Sequence, residues 1–147
     1  MTEIKILPMT AADGDGVADL HAECFTGERW SRSMIEAELD EKLSPFAVTY
    51  VARDNARVVG FVNARLICGE CGINDIAVTS AMRKNGIGAM LLSEMTRRAH
   101  EAGHQHVALI VDEYNPSAEK LYTRMGFRRA GTRMFFGHRM WHMQHTL

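Results

Sequence analysis

Three cysteines in 147 residues are too few, and an odd number, for a disulfide framework. Cys68 and Cys71 stand in a Cys-x-x-Cys pattern, but no second pair completes a tetrahedral zinc site. The same spacing suits a tight hairpin turn with Gly69 at its corner, and the turn is the expected reading. Charge of one sign is missing too: a net charge of −1 leaves none of the basic excess that nucleic-acid binding calls for. No apolar run is long enough to span a bilayer, and Met1 is followed at once by Thr2-Glu3-Ile4-Lys5, which is not a signal-peptide pattern. The expectation is a cytoplasmic protein with no membrane or nucleic-acid partner. His138, His142 and His145 have no acidic or cysteine residue close by in sequence, so they are expected at the surface, with no metal.

What is present is the composition of an ordinary globular domain, 46% apolar and 24% charged. At this length residues 1–147 form one domain that can bury roughly two-thirds of its unfolded surface. Ile4 to Pro8 alternates as a short strand. Val17, Leu20, His21 and Cys24 recur at three- and four-residue intervals, so a helix buries that face. A second helix, capped by Ser31 or Ser33, is predicted to run to about Lys42, short of Pro45. Ala47–Arg53, Val58–Ile67 and Gly72–Val78 read as three strands of an antiparallel meander, with Gly60 marking a bulge or a close contact. Gly86–Ala102 is the longest helix and stops at Gly103. His106–Val111 is almost wholly apolar, which predicts a strand covered on both faces. Asn115 and Pro116 open a helix carrying Ala118, Leu121, Tyr122 and Met125, and two strands close the chain. The predicted class is mixed α/β (α+β).

The stretch from Ile76 to Gly88, IAVTSAMRKNGIG, reads as a strand end, a loop and a helix start. Gly86 and Gly88 let the backbone come close to a ligand, and the first amides of the helix lie at the positive end of its dipole. A phosphate or pyrophosphate suits such a place. A Walker loop would need Gly-Lys-Ser/Thr, and a dinucleotide fingerprint a third glycine; both are absent.

The Arg83-x-x-Gly86-x-Gly88 spacing after an apolar strand resembles instead the acetyl-CoA pyrophosphate loop of the GNAT acetyltransferase superfamily. Asn115-x-x-Ala118-x-x-Leu121-Tyr122-x-x-x-Gly126-Phe127 resembles a second segment of the same superfamily, at the usual distance. Trp30-Ser31 and Ile76-Ala77-Val78 look most like the RimI-type ribosomal-protein-alanine N-acetyltransferases. The resemblance implies the GNAT fold, a mixed, mostly antiparallel central sheet flanked by about four helices, with acetyl-CoA as co-substrate. It implies that the backbone of Ile76, Ala77 and Val78 runs along the pantetheine arm. The amides of Arg83, Lys84, Asn85, Gly86, Ile87 and Gly88 would hold the pyrophosphate, with Ile87 anchoring the loop through the core, and Asn115 would bond the pantetheine or cap its helix. Tyr122 would protonate the departing CoA thiolate, although its helical spacing also fits a core aromatic.

The chain departs from that pattern where a base is wanted. Ile110 stands in place of the RimI-type glutamate, and Gly72 occupies another position used by related enzymes. Glu28, Asp75, Asp112 and Glu113 remain as candidate carboxylates, Glu28 and Asp75 foremost. Phe135-Phe136 stands about where a tyrosine pair is usual. An α-amine, with a pKa near 7.7–8.0, is about a tenth neutral at pH 7, whereas a lysine near 10.4 is almost wholly protonated. A weak base therefore suits an α-amine acceptor better than lysine. The expected function is acetyl transfer to a primary amine, foremost a protein N-terminus; a small-molecule amine, or a non-catalytic acyl-CoA-binding module, are the alternatives. Either a monomer or a homodimer is compatible with the chain.

Overall fold

The computed structural model describes residues 3–25, 30–43, 45–135 and 137–147. Stretches rich in β-branched and aromatic residues pair into one seven-stranded sheet. The strands are β1 (Ile4–Pro8), β2 (Ala47–Asp54), β3 (Arg57–Ile67), β4 (Glu70–Val78), β5 (His106–Asp112), β6 (Arg128–Phe135) and β7 (His138–Thr146). Their order is β1-β2-β3-β4-β5-β7-β6, and every neighbouring pair is antiparallel except β4 and β5. The α-helices among the described residues are α1 (Gly14–Cys24), α2 (Arg32–Ala37), α3 (Ile87–Glu101) and α4 (Pro116–Arg124).

Alternation along the strands divides the interior into two cores. Val51, Phe61 and Ala77 meet Val17 and Leu20 of α1 and Ile35 of α2 on one face. Val62, Ala64, Ile73, Leu109 and Met143 meet α3 and α4 on the other, where Leu91, Leu92 and Met95 are fully buried. Each such side chain contributes about 1.5–3 kcal/mol of transfer free energy. Gly60 is the close contact its position suggested: a Cβ there would lie 3.0 Å from the Ala77 carbonyl and 3.1 Å from Leu91, so its absence lets α3 settle on the sheet.

Buried polar residues tie the first helix to the sheet. Asp13 precedes α1 and accepts hydrogen bonds from Arg53 Nε and Nη2 at 2.9 and 2.7 Å and from the Thr10 N–H at 2.8 Å. Burial alone would raise the Asp13 pKa; Arg53 and Thr10 outweigh it and hold the carboxyl below its usual value.

Three local expectations are refined. Ser31, not Ser33, caps α2, accepting from the Met34 N–H at 3.2 Å. The helix ends at Ala37 rather than near Lys42, because Glu38, Leu39 and Asp40 each donate to the carbonyl three residues back while the Glu38 side chain is drawn to the sheet. β5 is not covered on both faces, since Ile110 is 42% exposed. The Cys-x-x-Cys segment is the expected turn between β3 and β4, with Cys68 and Gly69 both at positive φ and the cysteines unbridged.

Candidate active site

The parallel contact between β4 and β5 is brief. Glu70, Cys71 and Gly72 pair with His106, Val107 and Ala108, and the ladder stops there. Just beyond, β4 carries a bulge: Asn63 and Ala64 of β3 face Asp75 and Ile73, leaving Asn74 as the extra residue. A bulge bends its strand and increases its twist. From Ile73 onward β4 therefore has no ladder partner on its β5 side, and a gap opens in the middle of the sheet.

The polarity of that edge follows from one bond. The Thr79 N–H donates to the Val59 carbonyl of β3 at 2.8 Å. Backbone groups alternate along an antiparallel strand, so Ala77 also faces β3, while Ile76 and Val78 present theirs to the gap. The side chains of Ile76 and Val78 pack on the α3 side, and that of Ala77 on the α1 side. The Val78 carbonyl already accepts from Arg83 Nε at 3.1 Å, and Arg83 Nη2 lies 3.7 Å from Cys24 Sγ. Arg83 thus folds back onto the end of β4 instead of reaching outward. Glu23 of α1 fixes the same turn, accepting from the Ser80 N–H at 2.9 Å and from Thr79 Oγ1 at 3.0 Å. These bonds, the Ser80 one first, hold the Glu23 carboxyl below its ordinary pKa.

The gap runs toward the start of α3. Lys84 and Gly86 both have positive φ, 67° and 80°, and Asn85 Nδ2 donates to the Met82 carbonyl at 3.1 Å. Gly86 is the N-cap and offers no side chain to the amides that follow, so these are left for a ligand. Ile87 is buried and anchors the loop. A Cβ on Gly88 would come within 3.2 Å of Leu121, which makes this glycine a contact point between α3 and α4.

On α4, Asn115 Oδ1 caps the helix by accepting from the Ala118 N–H at 3.3 Å, and the two Nδ2 hydrogens take no part in that bond. Tyr122 is 7% exposed, its ring 6.0 Å from Phe127, and burial pushes its hydroxyl up to about 12. It is a core aromatic and a tightly held proton at once.

The α1 side of the gap is polar. Asp75 is partly buried, and burial raises its pKa, with His21 opposing. His21 Nε2 of α1 lies 4.0 Å from Asp75 Oδ2. Beside them Asn63 donates to Glu38 and Thr49 at 2.6 and 2.8 Å, and Arg65 bonds both Glu38 oxygens. His21 and Glu38 are not apparent as site residues in the sequence: His21 falls in the buried stripe of α1, and Glu38 in a helix expected to run to about Lys42. The other carboxylates are engaged elsewhere. Asp112 accepts from the Tyr114 N–H at 2.9 Å, and Glu113 lies 3.9 Å from Arg139. Glu28 and Phe136 lie outside the described residues. Ile110 faces His142 across β7. Among the described residues no three His, Cys, Asp or Glu side chains gather as metal ligands, and no helix is long and apolar enough to cross a membrane.

Residues 15–127 match the acetyltransferase (GNAT) family. The chain belongs to that family. Among its curated relatives is a mycothiol acetyltransferase of Clavibacter sepedonicus, 28% identical over 86% of this chain and 43% of its own length. The chain thus spans less than half of that relative. The ribosomal-protein-S18-alanine N-acetyltransferase of Escherichia coli superposes with a TM-score of 0.84 at 18% identity, covering 98% of this chain and 94% of the other. The PaiA N-acetyltransferase of Thermoplasma acidophilum, solved with coenzyme A, gives 0.86 at 15% identity and 99% coverage of both chains. At these identities the superpositions speak for the GNAT fold, with its mostly antiparallel sheet.

Proposed function

We propose that this protein transfers the acetyl group of acetyl-CoA to a primary amine, and that its preferred acceptor is the α-amine of a protein N-terminus. The observation that carries the reading is the unpaired β4 edge, which runs into the uncapped start of α3. An extended pantetheine arm can bond the backbone of Ile76 and Val78, beside Ala77, as an added half-strand. Its pyrophosphate then meets the amides from Arg83 to Gly88, with the Lys84 ammonium and the Asn85 side chain at the loop. Asn115 Nδ2 is a donor to the pantetheine amides from the other wall.

In this reading the amine nitrogen attacks the thioester carbonyl carbon. The C–N bond forms and the C–S bond breaks. The amine proton passes through water to the Asp75 carboxylate, and the Tyr122 hydroxyl delivers its proton to the CoA sulfur, leaving the N-acetyl amine and the free thiol. Glu28, two residues before Trp30 in the sequence, stands as a second candidate base. A small-molecule amine is the second acceptor reading, favoured by the relative that is named for mycothiol acetylation.

The test is release of CoA thiol from acetyl-CoA with a peptide beginning at a free alanine, beside an N-blocked lysine peptide and a panel of small amines. Release with the free α-amine alone supports the first acceptor. Release with small amines alone supports the second, and tight acetyl-CoA binding without release would indicate a binding module. Gly86→Ala places a Cβ on a residue at φ 80°, a strain of about 1–2 kcal/mol. It is expected to weaken acetyl-CoA binding about fivefold or more in a calorimetric titration.

A further inference from the structure

One titratable ring is built into the interior beside the gap with no part in the chemistry described so far. His21 is 3% exposed. Its imidazole stacks on Phe25 with 4.6 Å between centroids and on Trp30 with 5.0 Å, and Phe61 of β3 lies 6.3 Å away. The Trp30 N–H donates to Nδ1 at 3.3 Å. A nitrogen that accepts a hydrogen bond carries no proton, so the neutral ring must bear its hydrogen on Nε2. Nε2 lies 4.0 Å from Asp75 Oδ2. The separation is too long for a direct hydrogen bond and short enough for a charge–dipole contact or a bridging water.

From this arrangement we infer that His21 is a positioning residue: its fixed Nε2–H aims and stabilises the Asp75 carboxylate at the mouth of the gap. The inference rests on Asp75 being the base of the proposed acetyl transfer. Aromatic stacking prevents the ring from turning, and the Trp30 bond prevents the other tautomer. Burial keeps the imidazole pKa below its ordinary value, with Asp75 opposing, so near neutral pH the ring is an uncharged donor. Among the described residues, the charged groups next to Asn63 are taken up with each other. Asn63 faces Asp75 across the β3–β4 ladder, and its neighbours Glu38 and Arg65 form an ion pair of their own at 2.6 Å. Asp75 therefore sits at an edge where a water can reach it, between a partly buried wall and a single oriented N–H.

The test reads Asp75 directly. Carboxyl carbon NMR on the full chain follows its titration in the wild type, His21→Phe and His21→Gln, with turnover measured in parallel. Phe keeps the aromatic stack and loses both nitrogens; Gln keeps a donor near Nε2. The expected result is an Asp75 midpoint about half a pH unit or more higher in His21→Phe, kcat about fivefold lower at pH 7, and substantial recovery of both in His21→Gln. An unchanged Asp75 midpoint in His21→Phe overturns the inference, as does wild-type turnover in Asp75→Asn. A wild type that acetylates no amine removes the acetyl-transfer reading, while the midpoint shift still decides the contact between the two side chains. Should His21→Phe fail to fold, ring-nitrogen shifts of the wild type decide: a proton on Nδ1 overturns the inference, and a proton on Nε2 with a shifted midpoint in His21→Gln supports it.

Discussion

Tyr122→Phe is expected to lower kcat about a hundredfold while leaving acetyl-CoA affinity within about twofold, as a calorimetric titration and a thiol-release assay would show. The ring fills a place in the larger core beside Phe127, and phenylalanine keeps that packing. What is lost is one proton, in the buried setting that pushes its pKa to about 12. In the proposed role, a phenol so reluctant to ionise would give up its hydrogen only as the C–S bond breaks and negative charge gathers on sulfur. The same shift keeps Tyr122 protonated across the working range, so the rate should show no alkaline fall from its ionisation below about pH 11. Turnover unchanged from the wild type would remove Tyr122 from the chemistry and leave it as core.

The second large effect concerns stability. Arg53→Ala leaves the Asp13 carboxylate buried without its cation, and removal of one partner of a buried pair costs about 3–5 kcal/mol. For a domain this size that is a large share of the total, so chemical denaturation should show it plainly. The pH dependence has a definite sign. Asp13 has a folded pKa below its unfolded value, so its contribution is fully present above about pH 4 and is lost as pH falls through the folded value. The wild type should lose stability over that acid range, and Asp13→Asn should lose much less of it. A denaturation midpoint in Arg53→Ala equal to that of the wild type would show that water or another group has replaced the cation.

The parts legible in the sequence are those specified by neighbours along the chain. Asn115-Pro116 announced the capped start of α4, Gly86 and Gly103 the two ends of α3, and the meander its two turns. The loop at Arg83–Gly88 and the segment around Tyr122 were readable because both motifs are local. What the sequence withheld depends on partners far apart. The parting of β4 from β5 needs a crossover through α3. The bulge at Asn74 is visible only against β3. His21 has the spacing of an apolar stripe, and only the fold shows that its stripe ends against Asp75. Ile110 belongs to an unbroken apolar run, yet the sheet leaves one face uncovered at that point. The bond from the Arg83 side chain to the Val78 carbonyl likewise shows only in the folded turn.

The gap inside the sheet also bears on how the protein avoids sticking to itself. An unpaired strand edge is a template for another chain. The outer rims are guarded in the usual ways: β1 is short and ends in Pro8, and β6 carries Arg128, Arg129 and Arg133. The free edge of β4 has no proline, and its one charged residue, Asp75, lies beside His21 on the α1 side, which leaves the backbone of Ile76 and Val78 open to a ligand. Its protection is enclosure, between two halves of one sheet that share a root of three residue pairs. A full β-strand, with side chains on both faces and a backbone of its own to satisfy, is a poor fit for a slot that narrows to that root, whereas a slender chain bearing a few amides can enter. Selectivity against aggregation and readiness to bind an extended small molecule thus come from the same splay.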